Sequence, residues 1–125
     1  MLLTASTTAE IASTFDAGHE NHMGLAFSAD GETAFWGEWD GTWGSPDSGQ
    51  QVIYSARKSG TGWSSPEPMP FTGRHSDSDP FPSPDGEWLY FVSDRPDEAS
   101  GTATQGDIWR YHRSGKLVPE KLRIN

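Results

Sequence analysis

The chain has 125 residues, a net charge of -9 and no cysteine. That balance lacks the basic face that nucleic acid or an anionic membrane surface requires, and without cysteine there is neither a disulfide nor a thiolate-ligated metal. The mean hydropathy is low at -0.69, but six Trp, six Phe and three Tyr supply large rings to bury and argue against disorder, while 14 Gly and 9 Pro favour turns over helices.

In chain order, Met1-Leu2-Leu3 gives way at once to Thr, Ser and Glu, so no leader peptide is visible. No apolar run approaches the roughly 18 residues of a membrane span. Thr7 to Thr14 is the one short helix candidate. His19-Glu20-Asn21-His22 follows in a loop. It falls short of the zinc-protease motif, which needs two His at i and i+4 on a helix. Asp30-Gly31 marks a β-turn, with Gly accepting a positive φ. A predicted strand then runs from Thr33 to Trp39, a loop from Asp40 to Gln50 and a strand from Gln51 to Lys58. A fourth strand is expected within Trp63 to Phe71.

Arg74-His75-Ser76-Asp77-Ser78-Asp79 leads into a predicted strand from Ser78 to Ser83 and a turn at Pro84-Asp85-Gly86. Trp88-Leu89-Tyr90-Phe91-Val92 is a continuous aromatic and apolar run, which predicts a strand buried on both faces. A loop is expected from Arg95 to Gly106 and a strand from Asp107 to Arg113. A turn at Ser114-Gly115 and a last strand from Leu117 to Ile124 complete the chain.

These two halves repeat each other. Ser28-Ala29-Asp30-Gly31-Glu32 matches Ser83-Pro84-Asp85-Gly86-Glu87 at an offset of 55 residues. The same offset carries Phe35-Trp36 onto Tyr90-Phe91, Ile53-Tyr54 onto Ile108-Trp109 and Ser59-Gly60 onto Ser114-Gly115. The register then slips by two, so that Pro66-Glu67 matches Pro119-Glu120 and Phe71 matches Ile124. A four-stranded antiparallel unit repeated at this length fits the blade of a β-propeller. An eight-stranded sandwich is the other all-β layout, and the matched Asp-Gly turns favour the propeller. The expected fold is therefore all-β, a partial propeller of two four-stranded blades. Residues 1–14 form an N-terminal extension or part of a preceding or closing strand. Residues 15–70 form the first blade, and 71–125 the second blade with the approach to a third.

The stretch from Asp77 to Pro96, with its Ser83-Pro84-Asp85-Gly86-Glu87 core, resembles the WD40-like PD40 repeat of TolB-like propellers. Asp107-Ile108-Trp109 is similar to that repeat's third strand, and Trp63 to Pro68 to its outer strand. The resemblance covers Phe15 to Asn125. The first copy departs from the pattern with Ala29 in place of Pro and Asp40 in place of the Arg that Arg95 supplies. The resemblance implies a propeller of about six blades in a periplasmic or extracellular setting, of which two copies would be a piece or a unit that assembles with others. An unpaired strand edge and an open blade face then lead us to expect self-association through exposed blade edges.

Ligands of such propellers gather at the mouth of the axial channel. This places His19, Glu20, His22, Arg74, His75, Asp77 and Asp79 as candidate rim residues. The repeat offset sets Glu20 where His75 stands and His22 where Asp77 stands. Imidazoles and carboxylates together could hydrogen-bond a partner, hold Zn or Mn, or move a proton, and a solvated rim of turn-capping side chains uses the same residues. Trp39 and Trp43 flank a loop and are candidates for stacking. Asp30, Gly31, Asp85, Gly86 and Arg95 are expected to shape turns, with Arg95 paired to Asp94 or to backbone carbonyls. No nucleophile elbow or phosphate loop occurs, so no catalytic residue, cofactor or metal is assigned. The expectation is a non-catalytic propeller module binding a protein or peptide. The alternative is the propeller of an enzyme, either the gate of a prolyl-oligopeptidase-type peptidase or a metal-dependent lyase or hydrolase.

Overall fold

A computed structural model describes residues 22–40, 49–97, 102–103 and 106–123. The helix candidate Thr7 to Thr14 lies outside them. Every element among the described residues is a strand: β1 (His22–Phe27), β2 (Thr33–Trp39), β3 (Gln51–Ser59), β4 (Gly62–Trp63), β5 (Glu67–Pro68), β6 (Asp77–Pro82), β7 (Trp88–Ser93), β8 (Pro96–Asp97), β9 (Thr102–Ala103), β10 (Asp107–His112) and β11 (Glu120–Lys121). The fold is all-β, built of two antiparallel sheets. One orders β1-β2-β3, with β4 and β5 both paired to β3, and the other orders β6-β7-β10-β11.

The repeat holds down to individual residue pairs. Ala26 faces Phe35 and Phe27 faces Ala34 in the first sheet. Phe81 faces Tyr90 and Pro82 faces Leu89 in the second, each 55 residues on. Trp36 opposite Tyr54 becomes Phe91 opposite Trp109. The two-residue slip is visible in the outermost strands, where Ser55 opposite Glu67 corresponds to Arg110 opposite Glu120. Both inner strands carry an irregularity at the same place. The residue there is left-handed in each copy, Gly24 at φ 66° and Asp79 at φ 50°. Such a bulge turns the strand and re-aims the side chains before it, and Asp is among the few non-Gly residues that tolerate this conformation.

The two β-turns are built alike. Ser28 Oγ donates to Asp30 Oδ1 at 2.7 Å, and the same oxygen accepts the Glu32 N–H at 2.9 Å. Ser83, Asp85 and Glu87 repeat this at 2.6 and 3.0 Å. The serine hydroxyl first, and the glutamate amide second, hold the Asp30 and Asp85 carboxyls below the ordinary carboxylate range. A carboxyl depressed in the folded state stabilises it fully above the unfolded pKa of about 4, and that contribution fades as pH falls through the depressed value. We therefore expect the Asp30→Asn/Asp85→Asn double variant, which keeps the acceptor oxygens, to show a shallower loss of thermal midpoint below about pH 4 than the parent. Parallel acid limbs for the two proteins would show that these turns do not contribute.

The two sheets pack face to face. Leu89, Phe91, Trp109 and Tyr111 of the second sheet close over Ile53, with Phe35, Met69 and Phe71 at the margin. Phe71 stacks on Phe91 at a centroid distance of 4.5 Å. Each fully buried side chain of this size is worth about 1.5–3 kcal/mol. On the other face of the first sheet Ala34, Trp36 and Ala56 form a second cluster with Phe27, Tyr54 and Trp63.

Three expectations are corrected. The Trp88 to Val92 run is not buried on both faces. Its burial alternates, with Leu89, Phe91 and Ser93 inside and Trp88, Tyr90 and Val92 half-exposed. The segment expected as a plain loop from Arg95 to Gly106 holds a short ribbon, β8 paired with β9. Among the described residues the last strand is Glu120–Lys121 and not the span begun at Leu117, because Pro119 cannot donate to a ladder and Leu117 and Val118 stand exposed; its expected end, Ile124, lies outside the described residues.

Candidate functional site

The bulge at Asp79 sets the character of the residues before it. Asp77 lies opposite Ser93 in the β6–β7 ladder, on the face turned to the first sheet. Its carboxylate is 0% exposed. Arg95, two residues past β7, sends its terminal NH2 group to both oxygens of Asp77 at 2.9 Å. Arg95 Nε donates to Ser93 Oγ at 2.9 Å, and its guanidinium lies 5.1 Å from the Phe91 ring centroid. The Phe71 and Trp109 rings flank it at 5.6 Å each. Thr72, in the link between the sheets, donates its hydroxyl to Asp77 Oδ2 at 3.0 Å and accepts the Ile53 N–H at 3.2 Å. A hydrogen-bonded relay thus runs from the first sheet through the link to an ion pair in the second.

This removes Asp77 from the expected rim. A fully buried carboxylate with both oxygens on one guanidinium has no free face for a partner. It also corrects the expected pairing of Arg95 with Asp94, which is exposed: the guanidinium reaches across 18 residues to Asp77, and it also donates to a backbone carbonyl, that of Phe71, at 3.4 Å.

Arg74 and His75 do reach a surface concavity. They line a cleft of about 300 Å3 with Gly49, Gln50, Ser76, Asp94 and Pro96, where β3 and β6 begin and β7 ends. The loop that carries them is fastened at several points. The Gln50 side-chain amide donates to the Gly73 carbonyl. The Gln51 N–H donates to Ser76 Oγ at 3.1 Å, and the Ser76 N–H donates to Asp94 Oδ1 at 2.9 Å. The Gln50 N–H donates to Asp40 Oδ1 at 2.6 Å. Arg74 itself is exposed and enters no ion pair among the described residues. The loop backbone is thus anchored while a cation projects from it.

The remaining candidates are dispersed. His22 opens β1 opposite Glu38, at the position that Asp77 occupies in the second sheet. Asp79 is exposed at the bulge, and Trp39 is half-buried at the end of β2. His19, Glu20 and Trp43 lie outside the described residues. Asp30, Gly31, Asp85 and Gly86 form the two turns. Among the described residues no group of three or more His, Asp or Glu could hold a metal ion. Gln50, Ser76 and Thr72 were missed in the sequence, since their roles come from bonds between sheets that no local pattern announces. At the opposite end the sheets diverge into a groove of about 800 Å3, with Phe35, Met69, Leu89 and Tyr111 on its floor and Arg57 and Lys58 at its edge.

Comparison with family models, with curated proteins and with solved structures finds no match to this chain.

Proposed function

We propose that this chain is a non-catalytic binding module of the TolB-like propeller type, its two sheets serving as adjacent blades, and that it takes a protein or peptide at the Arg74–His75 cleft. The observation that carries this reading is the exposed guanidinium of Arg74, held on an anchored loop over a cleft between two sheets. In an otherwise acidic chain such a cation attracts a carboxylate, and its planar donor fork can grip one with two parallel bonds. The repeated register and the face-to-face packing support the blade reading, because paired blades hide their apolar faces against each other.

The test is binding to an array of acidic and C-terminally free peptides. Loss of one charge-assisted bond of about 1.5–3 kcal/mol weakens affinity roughly 10- to 150-fold, so Arg74→Ala should lose that much on the peptides the parent selects. His75→Ala should show a smaller loss. Unchanged peptide selection and affinity in the Arg74→Ala/His75→Ala double variant would overturn the proposed face.

A further inference from the structure

The repeat supplies a template for reading the outward face of the second sheet. In the first sheet, Phe35 and Ile53 share one face with Met69 beside them, and the second sheet covers that face. The equivalents at the repeat offsets are Tyr90, Ile108 and Leu122. The equivalence is structural: the Met69 N–H donates to the Ile53 carbonyl at 2.8 Å, and the Leu122 N–H donates to the Ile108 carbonyl at 2.8 Å. Ile53 is 0% exposed, whereas Ile108 is 43% exposed and Phe81, in the same row as Tyr90, is 63% exposed. A face of the same construction as one that carries a sheet thus stands open.

Its chemistry is apolar and locally neutral. Val92 lies beside Ile108, and Tyr90 beside Phe81. The charges within the face are Arg110, His112 and Glu120. Arg110 is bound to Glu120 and stacked over Trp88 at 3.9 Å, and His112 meets Glu87 at 3.3 Å. For a chain of net charge -9 this patch is where two copies can approach without setting carboxylate against carboxylate. The alternative of head-to-tail stacking needs the face of Ala34, Trp36 and Ala56, which is already closed at 0%, 0% and 2% exposure. Two copies that meet through the open face present it to each other. That geometry is isologous and closes at two.

We propose that the outward face of the second sheet, centred on Phe81, Tyr90, Val92 and Ile108, is the docking surface for a second copy of this chain in a two-fold dimer. The inference stands apart from the Arg74 cleft, which lies where β3 and β6 begin.

Sedimentation velocity on the 125-residue chain over a wide concentration range tests it. The expected result is a monomer–dimer equilibrium with no larger species. Raising the salt should tighten it, because screening weakens repulsion between the acidic copies. Ile108→Lys places a charge at the centre and should weaken dimerisation roughly 30-fold or more, as expected for an interface anchor. Phe81→Ser, at a more exposed position, is the second variant and should act in the same direction if Ile108→Lys perturbs the fold. Arg74→Ala should leave the dimer unchanged, which separates this inference from the proposed binding face. A chain that stays monomeric throughout overturns the proposal and leaves the face to a sheet from another protein or a further repeat. Dimers indifferent to both variants, or growth beyond two copies, overturn it as well.

Discussion

Asp77→Ala is expected to cost about 3–5 kcal/mol of folding stability, as removal of one partner from a buried ion pair does. The truncation leaves the Arg95 guanidinium among Phe71, Phe91 and Trp109 with its main counter-charge gone. It also strips Thr72 of the acceptor for its hydroxyl. Urea unfolding followed by Trp fluorescence measures the loss. Asp77→Leu combined with Arg95→Met should recover much of it, because replacing both charges with apolar groups removes the desolvation cost together with the attraction. A loss below about 1 kcal/mol for Asp77→Ala, the range of exposed ion pairs, would show that the pair is solvated in solution.

Phe91→Ala should cost a similar amount by a different route, about 3–5 kcal/mol for an aromatic ring removed from a packed core. Phe91 is 1% exposed and meets Phe71 from the link, the Arg95 guanidinium and the inter-sheet cluster together. Its removal opens a void at the seam between the sheets, where partial collapse would need both to shift. Phe81→Ser on the outward face serves as the control and should stay within about 0.5 kcal/mol in dilute monomer. Equal effects at the two positions would mean that the face-to-face packing does not form.

These residues also show how far the sequence could be read. The 55-residue offset was legible in the sequence, and the paired residues of the first sheet recur at that offset in the second, since register follows the alternation of buried side chains and the shared Ser-x-Asp-Gly turns. The two-residue slip that equates Glu67 with Glu120 recurs in their places opposite Ser55 and Arg110. What escaped was everything that depends on contact between the sheets. Asp77 read as a rim residue because its sequence neighbours are polar, and only the bulge at Asp79 shows that it points inward. For Arg95 the sequence offers the adjacent Asp94 or backbone carbonyls; the Phe71 carbonyl is met, but Asp77, 18 residues away, is not a distance a sequence displays. The five-residue apolar run at Trp88 looked doubly buried because composition does not tell which face has a neighbour. Of the site, Arg74 and His75 were legible as polar residues ahead of an inner strand, while the loop bonds that present them were not.

The link between the sheets is itself wired into both. Ile53 N–H, Thr72 Oγ1 and Asp77 form one line of hydrogen bonds that ends on Arg95. Separating the sheets would strand a buried amide, a hydroxyl and a charge pair at the same moment. Such a seam is expected to couple the two halves, so that amide exchange in β3 and in β7 should report one common opening rather than two.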